Sequence, residues 1–225
     1  MKRIIAFFTF FIPLLHADGT ALKQHVCEVL PTIDGWCTEE RAKYLIDLFL
    51  ETKPKLCVEI GVYAGRTFFP VASSLKFLDD GVAIGIDPWD KYEMLKSFDP
   101  VKDSTNLRAW GNVDFENVYR TFLNLLKRFE LENYCIILRM KSSEAASMIS
   151  SEIDFLCLDG NPSEMCSTQD VELYLPMVRP GGYVLLYDIL QPAKIKAAEL
   201  LLKECEVVKR FDHGNCVLFK KTRVH

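Results

Sequence analysis

The sequence predicts a doubly wound α/β domain: a mostly parallel seven-stranded sheet with helices on both faces. Three observations predict it. Compact apolar runs at Leu56–Ile60, Val82–Ile86, Cys135–Leu138 and Ile153–Leu158 have the length and unbroken hydrophobicity of strands buried on both faces. Segments with helical spacing of apolar residues separate these runs, and such alternation builds parallel sheets. The chain then closes on two runs joined by Asp212, His213, Gly214 and Asn215, a hairpin signal that requires one antiparallel strand at an edge.

The elements follow in order. Residues Met1 to Ala17 place Lys2 and Arg3 before an apolar stretch from Ile4 to Leu15, and polarity returns at Asp18 and Gly19. This is the pattern of a secretory signal, and the stretch is short of the roughly 20 residues a membrane-spanning helix needs. The expectation is an exported chain with no transmembrane span in its mature form; the alternatives are a buried or surface-lying helix and a cytoplasmic protein. An N-terminal segment, 18–37, is marked by Pro31, Asp34 and Gly35, and the main domain runs over 38–225. Thr38 reads as a helix cap with Glu39 and Glu40 in the first turn, followed by Tyr44, Leu45, Leu48 and Phe49 at helical spacing. Pro54 closes that helix before the first strand. Helices are expected from about Arg66 to Phe77, Asn112 to Phe129, Ser143 to Ile149, Thr168 to Met177 and Ala193 to Lys203. Pro180, Gly181 and Gly182 turn the chain into a fifth strand, Tyr183 to Tyr187, and the last two strands are Cys205 to Arg210 and Cys216 to Phe219. No linker composition divides the chain after residue 20.

The 225 residues carry 27 Lys and Arg against 31 Asp and Glu, a net charge of −4, so there is no bulk attraction for nucleic acid. The eight cysteines contain no C-x-x-C and no zinc-like spacing. Cys57, Cys135 and Cys157 fall inside strands as small buried apolar residues. Cys27 with Cys37, or Cys205 with Cys216, could pair in an oxidising compartment.

In open α/β sheets ligands bind beyond the carboxyl ends of the strands. The first strand ends in VEIGVYAGR, Val58 to Arg66, where Glu59 is an acid in an apolar strand and Gly61 and Gly65 permit tight turning. The second ends in GIDPW, with Asp87 at its tip, the usual place for an acid that holds ribose hydroxyls. The loop lacks G-x-G-x-x-G, which disfavours a nicotinamide oxidoreductase, and an acid beside it suits a cationic ligand better than a pyrophosphate.

These two motifs, with RMKSSEAA (Arg139 to Ala146), DFLCLDGN (Asp154 to Asn161) and LPMVRPGGYVLLYD (Leu175 to Asp188), resemble class I S-adenosylmethionine-dependent methyltransferases. Within them the chain is similar to the small-molecule O-methyltransferase branch, over about Thr38 to Lys220. The resemblance implies a Rossmann-like sheet of order 3-2-1-4-5-7-6, with S-adenosylmethionine as cofactor and a small-molecule acceptor. It implies that Glu59, Gly61 and Gly65 line the methionine end of the cofactor, that Asp87 holds the ribose, and that Ser142 or Ser143 lies near the adenine. Asp159 would face the methyl-transfer centre and act in catalysis.

The catalytic pattern departs from the branch at two places. Many relatives hold a divalent cation; Asp159 and Asp188 match two of its ligands and would suit Mg²⁺, but Ile189 stands where a third is expected and Asn161 is a weak substitute. The D-G-x-H motif reads Asp159, Gly160, Asn161, Pro162, so the histidine is a proline. The four histidines, His16, His25, His213 and His225, lie elsewhere, and Glu164 and Lys141 are the other candidate bases. An aromatic and acidic stretch, Trp89, Asp90, Tyr92, Phe98, Asp99, Asp103 and Trp110, would form either a lid or acceptor pocket or a cover for the sheet edge. The sequence thus supports a methyltransferase acting on an oxygen of a small molecule. The competing reading is an exported, catalytically degenerate methyltransferase fold that binds a partner.

Overall fold

The computed structural model describes residues 19–96, 98, 101 and 104–222. The signal-like segment, with His16 and Asp18, and the residues Asp99, Asp103 and His225 lie outside them. Seven strands form one sheet in the order β3-β2-β1-β4-β5-β7-β6. Their ranges are β1 Leu56–Ile60, β2 Val82–Ile86, β3 Cys135–Leu138, β4 Ile153–Leu158, β5 Val178–Leu186, β6 Cys205–Phe211 and β7 Cys216–Lys221. The first five are parallel and β7 is antiparallel to both β5 and β6. The expected fold class and strand order are therefore those observed.

Strand ends differ from expectation where the chain bends. β5 begins at Val178, not Tyr183, because Pro180, Gly181 and Gly182 stay within the strand as an irregularity in its pairing with β4. Asp154, low in β4, accepts from the N–H groups of Lys55 and Leu56 at 2.8 and 2.9 Å and from Arg179 Nε at 2.5 Å. It ties the starts of β1 and β5 to β4.

Nine helices flank the sheet among the described residues. Helices α1 (Thr20–Val29), α2 (Glu39–Thr52), α3 (Phe68–Leu78) and α6 (Phe115–Arg128) cover one face around Phe49, Phe68, Phe69, Trp89 and Phe122. Helices α7 (Ser142–Ala145), α8 (Glu164–Tyr174) and α9 (Ile195–Glu204) cover the other around Val171, Tyr174, Leu201 and the second face of β1 and β4. The Thr38 cap forms, accepting from Arg41 N–H at 3.3 Å. Helix α8 starts four residues earlier than the periodicity suggests, because Ser163 caps it by accepting from Cys166 N–H at 3.3 Å.

Three helices are additions to the expected set. The N-terminal segment contains α1, whose Leu22 and Val26 enter the same core as Leu30, Ile33 and Cys37. Between β2 and α6 lie α4 (Lys91–Leu95) and α5 (Ser104–Gly111).

All eight cysteines are free thiols. Cys205 faces Lys221 at one end of the β6–β7 ladder, whereas Cys216 faces Phe211 at the other. Six residues of strand separate those positions, roughly 20 Å at ~3.3 Å per residue, too far for a disulfide. Cys37 is buried in the core and Cys27 lies on the outer side of α1. Neither suggested pair is formed.

Candidate functional site

The carboxyl ends of the central strands stop at one level because the chain continues the sheet ladder for one residue past each. Gly61 N–H donates to Ile86 C=O at 2.9 Å, Asp159 N–H to Ile60 C=O at 2.9 Å, and Tyr187 N–H to Leu158 C=O at 3.1 Å. A cavity of about 400 Å³ opens above this level. Glu59, Gly61, Asp87, Ser142, Ser143, Asp159 and Asp188 line it, so seven of the eight residues singled out from the sequence come together.

Gly65 is the exception. It does not line the cavity; its φ is +87° and a Cβ there would lie 2.5 Å from the ring of Phe122. Its smallness lets α6 close on the β1–α3 loop. Gly61 serves the approach of two loops, since a Cβ there would fall 2.1 Å from the carbonyl oxygen of Asp159.

Glu59 is 3% exposed and its Oε2 has no hydrogen-bond partner. Burial, with Asp159 and Asp87 nearby, holds its carboxyl far above the ordinary carboxylate range. Burial likewise pushes Asp159 up to about 8; Asp188 and Asp87 reinforce the shift, and Lys194 and Arg41 oppose it. Asp87 is also raised by burial, against amide N–H groups that favour its charged form. Its Oδ2 accepts from Tyr63 N–H at 3.0 Å and its Oδ1 from Trp89 N–H at 2.7 Å. A carboxylate has about four acceptor positions, so Asp87 both fixes the loop and keeps capacity for a hydroxyl pair. At the far wall Ser142 donates to Asp170 Oδ1 at 2.5 Å, and its carbonyl accepts from Tyr174 Oη at 2.7 Å.

These features fit a cofactor that brings cationic groups and a ribose: an unpartnered buried carboxyl, a glycine cradle, and an acid at the β2 tip. They fit Mg²⁺ poorly. No three His, Cys, Asp or Glu side chains among the described residues are arranged around a common point as metal ligands. Asp188 Oδ1 accepts from Asn215 Nδ2 at 3.0 Å, which secures the turn after β5. Asn161 is engaged throughout: its amide N–H groups donate to the carbonyls of Glu93 and Met94 at 3.3 and 3.1 Å, and its Oδ1 accepts from Ser163 N–H at 3.0 Å.

The candidate bases separate clearly. Pro162 lines the cavity, but neither described histidine does; His25 packs edge-on against Phe129. Lys141 is at the rim, yet its ammonium is bonded to Glu144 at 3.1 Å, which raises its pKa and opposes a role as base. Glu164 is in the first turn of α8 and outside the lining. Asp159 is the acid at the centre.

Sequence reasoning missed the contribution of the N-terminal segment. Asp34, Gly35 and Trp36 line the cavity, and Trp36 contacts Tyr63 and Trp110 with ring centroids 5.7 and 5.8 Å apart. The D-G-W run before the Thr38 cap was the available signal. The aromatic stretch after β2 divides between its two expected roles. Trp110 lines the cavity, whereas Trp89 is buried, stacked on Phe122 at 5.6 Å, with Nε1 donating to Tyr63 C=O at 2.8 Å. Tyr92 points outward, 73% exposed.

Comparison with known proteins agrees with this geometry. A family model described as a methyltransferase domain matches residues 58–189. No curated protein matches by sequence. Among solved structures, the O-methyltransferase NovP superposes with a TM-score of 0.69 at 18% identity, covering 92% of this chain and all of NovP. The O-methyltransferase TomG from Streptomyces achromogenes, solved with SAM, gives 0.60 at 15% identity, covering 93% of each chain. An O-methyltransferase from Bacillus cereus, solved with SAH, gives 0.59 at 11% identity, covering 93% of this chain and 94% of that one. With the motif match spanning the cavity's β1, β2 and β4 tips and the strand order complete, the chain belongs to the methyltransferase domain family, as a class I enzyme of the S-adenosylmethionine-dependent kind.

Proposed function

We propose that this protein binds S-adenosylmethionine at the β1–β2 side of the cavity and methylates an oxygen of a small molecule, with Asp159 receiving the hydroxyl proton. The observation that carries the reading is the unpartnered Glu59 carboxyl, buried beside Asp159 and Asp87 where a cationic cofactor end belongs. An acid cannot stay ionised in such a place without a cation; with one, it becomes a strong and specific contact. Asp87 offers its spare acceptor positions to the ribose, and the Ser142–Asp170 bond fixes the wall facing the adenine.

The cofactor supplies a methyl group on a sulfonium, so the new O–C bond forms as the S–C bond breaks and its electron pair stays on sulfur. Beside that positive charge Asp159 ionises more readily than in the empty site. Its carboxylate then takes the proton of the acceptor hydroxyl, the work that a histidine three residues further on, at Pro162, would otherwise do. Orientation within the closed cavity supplies the remaining acceleration.

The test is turnover of labelled S-adenosylmethionine against a panel of hydroxylated amines, phenols and sugars, with products read by mass spectrometry. The reading expects a methyl ether product. It also expects Asp159→Asn to slow turnover at saturating cofactor about 10²- to 10⁴-fold, the usual worth of a positioned base. Cofactor binding without turnover of any acceptor would instead favour a binding protein built on the same fold.

A further inference from the structure

One part of the cavity lining is a bay of three aromatic rings, carried by the N-terminal segment, the β1–α3 loop and α5. Trp36, Tyr63 and Trp110 touch pairwise, the last pair with centroids 5.5 Å apart and planes at 88°. Trp36 is 60% exposed, an unusual state for so large an apolar ring in a fixed position. Its backbone is clamped from both sides: Arg66 Nη1 donates to Gly35 C=O at 2.9 Å, and the buried Arg41 donates to Trp36 C=O at 3.4 Å.

Tyr63 is held still more firmly. It has φ +51°, a left-handed conformation uncommon for an aromatic residue. Its N–H is bound by Asp87, its carbonyl accepts from Trp89 Nε1, and its hydroxyl donates to Asp34 Oδ2 at 2.8 Å. Strain that is over-determined in this way is characteristic of functional positions.

The bay opens into a cavity rich in carboxyl groups. Among the described residues eight carboxyl groups line it against Arg66, Lys96 and Lys141. Lys96 and Lys141 are paired with Glu93 and Glu144, whereas Arg66 donates to Gly35 C=O and keeps its charge, its buried Nε without a hydrogen-bond partner. Ring faces with negative potential and a carboxylate at their edge form an environment that favours a positive ligand group.

We propose that the Trp36–Tyr63–Trp110 bay with Asp34 is the handle site of the methyl acceptor, and that the acceptor is a hydroxylated amine, cationic at neutral pH. This rests on the methyltransferase reading above. The protonated amine sits against the rings with Asp34 as counter-ion, and the hydroxyl is directed toward Asp159.

The test uses the full chain with three probes that share a phenol and differ in charge: tyramine, 4-ethylphenol and 4-hydroxyphenylacetate. Each is titrated calorimetrically into protein saturated with S-adenosylhomocysteine, whose own binding is measured first. The expected result is tyramine binding at least about tenfold tighter than 4-ethylphenol, with the carboxylate weakest. Trp36→Ala and Asp34→Asn should each reduce that preference below about threefold, with the affinity for S-adenosylhomocysteine unchanged, and Trp36→Phe should retain most of it. Equal binding of the amine and the neutral phenol, or a preference that survives both variants, overturns the handle while leaving the methyltransferase reading intact. Failure of S-adenosylhomocysteine to bind overturns that reading, and with it the identification of the amine as a methyl acceptor.

Discussion

Asp159 sits half-buried near Asp188 and Asp87, and its carboxyl is pushed up to about 8. An acid whose folded pKa is raised favours the folded state at low pH, because the fold retains a proton that the unfolded chain has lost. Its contribution is complete below the unfolded value near 4, declines from there to about 8, and is flat above. Thermal denaturation of the cofactor-free protein should therefore show stability falling between pH 4 and 8, and Asp159→Asn should flatten part of that slope. Glu59 acts in the same sense. Cofactor binding has the opposite sign: a cation beside these groups draws off protons, so affinity should strengthen as pH rises toward 8, and calorimetry in buffers of different ionisation enthalpy should detect proton release. Glu59→Gln should remove part of that release.

The loops show which residues serve ligand approach and which serve packing. Gly61 and Gly65 read alike in the sequence, both as turn glycines after the first strand, yet only Gly61 faces the cavity. Gly65→Ala places a methyl 2.5 Å from Phe122 at a φ of +87°. It should cost about 2–4 kcal/mol in chemical denaturation and leave cofactor affinity nearly unchanged where the protein remains folded. Helix α1 should behave as part of the domain, since Leu22 and Val26 enter the main core; Val26→Ala should cost about 1–3 kcal/mol.

The same comparison shows what the sequence made legible. Strands β1, β2 and β4 have the ranges read from their apolar runs, because strands buried on both faces leave an unbroken signature; β3 has its expected range too, but as an edge strand it is half-open, with Ile136 48% exposed and Cys135 only partly buried. The acids at their tips were legible for the complementary reason: Glu59, Asp87 and Asp159 each interrupt or end an apolar run. Trp36 and Tyr63 were not, because an aromatic residue in a loop has the same local sequence whether it covers a core or lines a cavity. Trp89 and Trp110 illustrate this, twenty-one residues apart in one stretch and with opposite roles. The helix start at Glu164 was obscured by α8 having no clear apolar stripe, although Ser163 marks it.

At the scale of the whole molecule, the sheet order 3-2-1-4-5-7-6 sets the site at the level where β1, β2 and β4 end together, and the N-terminal segment and α5 add to its lining. One part of the cavity is acidic and cradle-like, another aromatic. A ligand that binds the first should stabilise the entire domain, because the residues it touches belong to strands central to both cores. At a concentration about 100 times its dissociation constant, the stabilisation is about 2.7 kcal/mol.

The most direct test of the central claim is calorimetric titration of S-adenosylmethionine into the folded protein, beside Asp87→Asn and Glu59→Gln variants of verified fold. Binding that saturates at one site and weakens about tenfold or more in each variant is the predicted result. Absence of binding in folded wild-type protein, or binding indifferent to both substitutions, would contradict the placement of the cofactor at the β1–β2 tips.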